Sequence, residues 1–505
     1  AMMLKVKDIV NNSDVISGKM SIPVSRKIWP LPSVRDQEDG SRDICLQQMI
    51  NRPGPPRSRN FLHGDGFADI QNSVDDDNPE SFHRAIGSIL GVAQCFGILP
   101  LAGVRADSPR KLVFCKMSLR TAYAVSIMVM LIFMATIAVV HMIKTLKADT
   151  FGVSGGIAAA TAGAIFYGNS LLGEVLFFRL APRWTSLQRD WRSMERLIDR
   201  NKYQPPRLRW KFSGITAAIM IFALVEHVLS IINNTPPQFW ALAENSSFEE
   251  FIQSYCERSH AFILSICDYN FAIGIFIFVI SKIATFTWNF TDVFVILVAT
   301  GLAERYKTLN QRLIEPVPLY RRNVDWREVR EAYAILSSMV KRVDHDISPI
   351  ILLSFANNLY FICLQLLNGL SPGEMSILAV IYFFGSFAFL VGRTIAVTLL
   401  VARINDQSRL ALPALYNCPA PTYDIETQRL LHQITTDDIC LTGMRFFSIT
   451  RNFMLAVAGA IVTYEVVLLQ FNDEESLIYL LFRTRQSFII NFHYHCSHNF
   501  YLFIL

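Results

Sequence analysis

The sequence predicts an all-α, polytopic membrane protein with seven transmembrane helices, a cytosolic amino terminus, an extracellular carboxyl terminus and long helical extensions on the inner side. Three observations predict it. Charged residues make up only 18% of the 505-residue chain and apolar ones 52%, with 37 Phe and a mean hydropathy of +0.31, whereas a soluble chain carries about 25% charged residues. Long stretches of the chain are almost free of charge. Lysine and arginine crowd into alternate connections between those stretches, and positive residues stay on the cytoplasmic side of a membrane.

From the amino end, residues 1–84 hold Pro23, Pro30, Pro32, Pro53, Pro55 and Pro56 among charged and small residues. Such a composition buries too little apolar area to fold, so a disordered cytosolic arm is expected. The opening Ala1-Met2-Met3-Leu4 lacks the charged start and apolar run of a signal peptide, which leaves insertion to the first span. Residues 85–117 form a cytosolic pre-membrane segment. Its apolar run 85–104 competes for a span, but Gln94, Pro100 and four glycines weaken it, and it is expected on the membrane surface or in the cytosolic domain.

A helix crosses the hydrocarbon core with roughly 20 apolar residues. Residues 121–143 and 347–370 contain no Asp, Glu, Lys or Arg, and 155–178, 212–232, 375–402 and 453–471 contain one each. The run 261–303 would make a helix of roughly 65 Å, about twice the core thickness, with no Gly/Pro turn to fold it into a hairpin. It is expected to be one long helix projecting from the membrane. Spans one to six and their inner stalks thus fill 118–425, the seventh helix 426–471, and an extracellular tail 472–505.

Charge fixes the orientation. Arg105, Arg110, Lys111, Lys116 and Arg120 precede the first span, ten Lys and Arg separate the second from the third, and nine more follow the fourth. The segment 233–260 has only Arg258 against Glu244, Glu249, Glu250 and Glu257, and 371–374 has none. The sequons at Asn233 and Asn245 fall on the outer side of this scheme. The inverted topology excludes a receptor that couples to G proteins. Charged and apolar residues interleave at helical spacing over 183–198 and 325–343, as expected of stalks extending below the bilayer.

Several chemistries are excluded. The nine cysteines are scattered without a CxxC pair, which suggests neither a disulfide scaffold nor a zinc site. His493, His495, Cys496 and His498 match no standard zinc spacing, so no metal and no cofactor is expected. No HExxH, GxSxG or Walker-type loop is present, which argues against an enzyme and leaves no candidate catalytic residue. No basic stripe suits nucleic acid at a net charge of +5. A secondary transporter of a small polar solute is the alternative from another class, although neither internal repeats nor Gly/Pro-broken helix pairs are visible.

In the last span, Thr463, Tyr464, Gln470 and Phe471 occupy the four fixed positions of the signature TYhhhhhQF (h, hydrophobic), preceded by LTGMRFFSITRNFMLAVAGAIV. In this the chain resembles the insect gustatory receptors. SFANNLYFICLQLLN in the fifth span and FHRAIGSILGVAQCFGILPLAGV near the amino end resemble the sugar (sweet taste) receptor branch of that family, and similarity runs from about Phe82 to Phe471. The resemblance implies a ligand-gated, non-selective channel for Na+, K+ and Ca2+ in the plasma membrane of gustatory neurons. It implies a homo- or hetero-tetramer in membrane lipid, with seventh helices lining a central pore and a pocket for a mono- or disaccharide in each subunit. The tail after Phe471 is longer than the family's usual ending and unlike it.

At about 100° per residue, Asn452, Ala456, Gly459, Thr463, Val467 and Gln470 share one stripe of the seventh helix. Small and polar stripes serve either close helix packing or a wet pore. The resemblance implies the pore, lined by Thr463 and Val467 and narrowed at its outer end by Gln470 and Phe471, where an apolar ring gates by dewetting. Glu465 points away from the stripe. An intramembrane charge is normally paired, and Arg393 of the sixth span is its expected partner.

A sugar site needs donors, acceptors and flat aromatic walls in a concave space. In the outer halves of the spans the candidates are Glu226 and His227 (third), Asp268, Tyr269 and Asn270 (fourth), Tyr360 and Gln365 (fifth) and Tyr382 (sixth), with Trp240 in the outer loop. Asp268 leads, placed about two turns below the outer end of its helix. Each residue has a structural alternative: tyrosines anchor at interfaces and buried amides tie helices together. Asn357 and Asn358 lie deeper, where they would join helices.

Overall fold

The computed structural model describes residues 79–147, 156–199, 206–235, 247–314, 325–369 and 377–463. Its helices, in chain order, are α1 (Phe82–Ala93), α2 (Leu119–Lys147), α3 (Gly156–Asp199), α4 (Leu208–Asn233), α5 (Phe248–Ser259), α6 (Ala261–Leu264), α7 (Phe271–Ile314), α8 (Trp326–Gly369), α9 (Ile377–Arg409), α10 (Leu412–Tyr416), α11 (Ile425–Thr436) and α12 (Arg451–Thr463). Helices α2, α4, α7, α8 and α9 are long and apolar enough to cross a membrane. Helix α3 covers the second expected span. Helix α12 is the described start of the seventh, and residues 464–471 of that span lie outside the described residues, as does the tail.

Three helices of 44 residues, α3, α7 and α8, each have one apolar half, amino-terminal in α3 and α7 and carboxyl-terminal in α8, and one half in which charged and apolar residues interleave. The interleaving is amphipathic packing. On α3 it buries Trp184, Leu187, Trp191, Met194 and Ile198, and on α8 Val329, Tyr333, Leu336, Val340 and Val343. Ion pairs join the same ends. Arg305 of α7 is fully buried between Glu195 (2.8 Å) and Asp199 (2.6 Å) of α3. Glu304 receives Lys211 of α4 (2.5 Å) and Arg403 of α9 (2.7 Å).

The long helix expected over 261–303 is interrupted. Helix α6 is a single turn, residues 265–270 are not helical, and α7 starts only at Phe271. Asn270 is the cause: its side-chain oxygen accepts the Ala272 N–H at 3.1 Å, the interaction that starts a helix. From there α7 runs unbroken to Ile314.

The segment near the amino end, expected on the membrane surface or in the cytosolic domain, packs into the helical bundle. Helix α1 begins at Phe82, inside the stretch assigned to the arm, and is buried against α3, α4 and α7 through Phe82, Ala85, Ile86, Leu90 and Ala93. These residues recur every three or four positions, one face of a helix. Phe82 stacks on Trp191 at 3.8 Å and meets Phe212 edge-on at 5.6 Å, and its N–H donates to Glu195 at 3.0 Å. A glycine makes the packing possible, since a Cβ on Gly87 would lie 2.3 Å from the Val104 carbonyl oxygen of the returning chain. Burial lowers the pKa of the neighbouring His83, whose Nε2 sits 3.0 Å from the Ala106 carbonyl.

A tight hairpin precedes α12. Thr442 bridges to Ser448 across Met444 (φ 51°) and Arg445 (φ 63°), and the left-handed region is costly for both side chains. Asp344 of α8 holds the hairpin, accepting the Thr442 N–H at 2.6 Å. Phe447 stacks on Phe453 of α12 at 4.6 Å, and both meet Phe355 of α8 edge-on.

Phe82→Ala is expected to cost about 3–5 kcal/mol, as for any large buried aromatic, and to lower the melting temperature of the detergent-solubilised protein. Val92→Ala on the same helix, a position 51% exposed, should leave it within about 0.5 kcal/mol.

Candidate ligand site

Three helices supply one cleft. Phe166, Asn169 and Ser170 of α3, Thr287, Trp288 and Thr291 of α7, and Leu353, Ser354 and Asn357 of α8 line it. Spacings of three and four residues put each trio on one helix face. Trp288 lies about 25 Å into α7 from Phe271 and Asn357 about 18 Å from the outer end of α8, at roughly 1.5 Å per residue. The cleft therefore sits at mid-depth.

Its walls are amides, hydroxyls and aromatic faces. Asn169 Nδ2 donates to Asn357 Oδ1 at 2.7 Å, joining α3 to α8. The Trp288 ring stacks on Phe361 at 4.6 Å, and Tyr360 stands edge-on to Phe361 at 5.1 Å while its hydroxyl donates to Thr161 of α3 at 2.9 Å.

Behind the cleft lies a buried charge pair. Arg393 of α9 has its Nε 2.9 Å from Asp292 Oδ2 of α7, with both side chains all but inaccessible. That contact is ionic rather than a directed hydrogen bond, because Nε points off the line to the oxygen. The directed bonds of the guanidinium go to Asn289 and, at 2.9 Å, to Asn358 Oδ1. Asn358 donates to Asp292 Oδ2 at 3.0 Å and accepts the Trp288 indole N–H at 3.3 Å, while Ser354 donates to Asp292 Oδ1. The guanidinium also lies over the Trp288 ring at 4.7 Å. Two residues of the cleft, Trp288 and Ser354, thus bond directly to this network.

Arg393 thus pairs with Asp292; Glu465, its expected partner, lies outside the described residues. The other sequence candidates divide into three groups. Glu226, Gln365 and Tyr382 come together in a second polar cluster between α4, α8 and α9: Ser386 donates to Glu226 Oε1 at 3.0 Å and accepts from Gln365 at 2.9 Å, and Tyr382 donates to Ser230 at 3.3 Å. Tyr360 stands one turn outward of Asn357, and His227 has a buried Nε2 with no partner among the described residues. Asp268 is exposed and Tyr269 half-exposed on the 265–270 connector, because Asn270 starts the helix after them; neither lines the cleft. Trp240 falls outside the described residues. So do Val467, Gln470 and Phe471, whereas Thr463 is exposed at the end of α12 and donates to the Gly459 carbonyl at 2.9 Å.

Sequence reasoning did not single out Asn169, Thr287, Trp288, Ser354 or Asp292. The available signal was a tryptophan amid Thr and Asn at helical spacing inside an apolar run.

Residues 65–479 match the family model described as trehalose receptor. The chain belongs to this family. It is 32% identical over 406 residues to the Drosophila melanogaster gustatory receptor for sugar taste 64f, covering 79% of this chain and 82% of that protein. It is 31% identical over 432 residues to the gustatory receptor 5a for trehalose from the same organism, covering 85% and 90%. These relatives are receptors, not enzymes. Among solved structures it resembles the insect olfactory receptor OR5 from Machilis hrabei, with a TM-score of 0.57 at 12% identity over 81% of this chain and 100% of the other. The same receptor in complex with eugenol gives 0.58 at 13% identity, over 77% and 97%. This trehalose receptor family member is therefore a multi-pass membrane protein with the insect olfactory receptor fold.

Breaking a buried pair leaves an uncompensated charge, which costs about 3–5 kcal/mol. Arg393→Met should therefore greatly reduce the folded protein recovered at the cell surface, measured by biotinylation, and Asp292→Leu in the same chain should restore part of it. Surface levels equal to the wild type in Arg393→Met would mean the pair carries no structural weight.

Proposed function

We propose that the protein is a sugar-gated, non-selective cation channel of the plasma membrane of gustatory neurons, a sweet-taste receptor. Its seven spans run from a cytosolic amino terminus to an extracellular carboxyl terminus. Four copies, alike or of related receptors, surround a pore lined by the seventh helix with Thr463, Val467, Gln470 and Phe471. The cleft carries the reading: amides and hydroxyls beside a stacked indole are the surfaces a sugar's hydroxyls and C–H faces require, and they occur in a chain whose relatives are named for sugar taste and trehalose. Glu226, His227, Gln365 and Tyr382 supply a second polar lining between α4, α8 and α9.

Sugar favours the subunit shape in which the cleft has contracted, and it moves the equilibrium only by its differential affinity for the two shapes. Helix α8 transmits the change. Ser354 and Asn357 face the cleft, while Phe355 and Asp344 of the same helix grip the start of α12. Most positions of α12 are exposed in the single chain, which suits a helix whose neighbours are other copies.

The test is current recorded from cells expressing the chain, against trehalose, glucose and other sugars. Trp288→Ala should raise the half-maximal concentration roughly tenfold or more and Asn357→Ala about fivefold, the loss of a stacked wall and of one net hydrogen bond. From its exposed position, Asp268→Ala should leave the dose response unchanged. Replacement of Gln470 should alter conductance or ion preference. Unaltered responses in both cleft variants would remove the proposed site, and sugar uptake in fixed ratio to charge moved would identify a transporter.

A further inference from the structure

One buried carboxyl group, on α3, has no role in the account so far. Glu174 is 2% exposed at mid-bundle, one helical turn beyond Ser170 of the cleft, and no charged group pairs with it among the described residues. Its Oε1 lies 2.8 Å from Thr287 Oγ1, a hydroxyl that lines the cleft. The same hydroxyl lies 3.0 Å from the Ile283 carbonyl oxygen. A threonine hydroxyl has one hydrogen to give, and a carbonyl oxygen has none. With an ionised Glu174 that single hydrogen must be shared between the two acceptors or leave one of them, whereas each contact is a full hydrogen bond if Glu174 brings a hydrogen of its own.

The surroundings agree. Oε2 faces Gly97, which is left-handed at φ 89°; a Cβ added there would stand 3.6 Å from Oε2 and 2.9 Å from Ile127 of α2. The groups shown beside the carboxyl oxygens are Thr287 of α7 at Oε1 and Gly97 of the α1–α2 connection toward Oε2, and neither titrates. The nearest titratable groups along α7 are turned elsewhere, Lys282 to the Tyr255 hydroxyl at 3.0 Å and Asp292 to Arg393. Arg179 of α3 is exposed. A carboxylate in such a place, without a cation, is among the most costly burials available to a protein.

We propose that Glu174 is a proton-binding site: a neutral carboxylic acid that donates to Thr287 and positions that hydroxyl in the cleft. Thr287 then gives its hydrogen to the Ile283 carbonyl and keeps one lone pair free for a sugar hydroxyl. When the proton is lost to water, the Thr287 hydrogen turns to the carboxylate, and the buried charge draws water into the space the sugar occupies. Glu174 is a positioning residue, and the sugar part of the inference rests on the function proposed above.

Two measurements on the full-length protein test it. Infrared difference spectroscopy of the purified protein in lipid nanodiscs should show the C=O stretch of a protonated carboxylic acid at neutral pH. The band should disappear in Glu174→Gln and shift in frequency in Thr287→Val, which removes the hydrogen-bond partner. In current recordings, the half-maximal trehalose concentration of the wild type should rise about fivefold between neutral and alkaline pH, the loss of roughly one hydrogen bond. The Gln variant separates Glu174 from every other group that changes with pH: its alkaline-to-neutral ratio should be near one. A band unchanged in both variants, or a ratio unchanged in Glu174→Gln, overturns the inference. If the protein gives no sugar current, the function proposed above fails, and the infrared band alone decides the state of Glu174.

Discussion

The arrangement of the membrane-embedded bundle depends on one guanidinium. Arg393 cannot leave its charge unmatched in the apolar part of the bundle, and the carboxylate of its own helix, Asp406, is 13 positions away and paired with Arg451. Asp292 of α7, with Asn289 beside it and Asn358 of α8, encloses it from two other helices. The rotation of α7, α8 and α9 about their axes is thereby fixed, because a turn of any one would expose a buried charge or amide to hydrocarbon. Apolar packing against lipid-like surroundings gives no comparable directional preference, since lipid tails are as apolar as leucine. With α7 and α8 held in rotation, Trp288 and Ser354 necessarily face α3, and the cleft follows.

Helix α8 has a second consequence because it is continuous from Trp326 to Gly369. Its residues 353, 354 and 357 belong to the cleft, 358 to the charge network, 355 to the aromatic contact with α12, and 344 to the hairpin anchor. The stretch beyond Pro349, a residue that takes one backbone hydrogen bond out of the helix, carries positions 353 to 358 and cannot move at one of them and stay still at the others, whereas Asp344 lies on the other side of that proline. The hairpin beyond Asp344 holds two left-handed residues, Met444 and Arg445, of a kind that persists only where surrounding contacts over-determine the backbone. The Phe355, Phe447 and Phe453 stack provides such contacts, so the start of α12 follows α8 and does not swivel on a loose linker.

The spans were legible because an apolar run of some 20 residues has few other uses. The stalks were legible too, since charge interleaved with Trp184, Trp191 and Tyr333 at helical spacing describes a helix with one buried face. The start of α7 was not: Asn270 acts as a helix start through a single hydrogen bond, and composition hides it within 261–303. Helix α1 was legible as a segment too weak to span, and its packing partners were not. The glycines that weaken it as a span are the ones that let the chain pack over it at Gly87. The cleft needed the rotation of three helices at once. Arg393 and Asp292 stand 101 positions apart with no local pattern linking them, so the sequence showed a charge that needed a partner without showing which partner. Glu226, Gln365 and Tyr382 did come together, since polar residues in the outer halves of neighbouring spans have few places to go.

A sugar binds weakly for a physical reason, and in the proposed assembly weakness suffices. In the proposed site each hydroxyl would exchange good bonds with water for bonds with Asn169, Asn357, Ser354 or Thr287, and the net gain per bond is only about 1 kcal/mol. Driving a two-state equilibrium from 1:99 to 99:1 takes a preference of about ten thousandfold for the favoured state. One cleft of this size and polarity does not supply that. Four clefts around a common pore, each preferring the contracted shape by only about tenfold, multiply to it. A tenfold preference is about 1.4 kcal/mol, the worth of one or two hydrogen bonds gained as α3, α7 and α8 draw together. Modest discrimination at each site therefore requires that the sites act on a shared gate, and the part of α8 beyond Pro349, which touches both the cleft and Phe453 in the first turn of α12, is the element that lets each copy contribute.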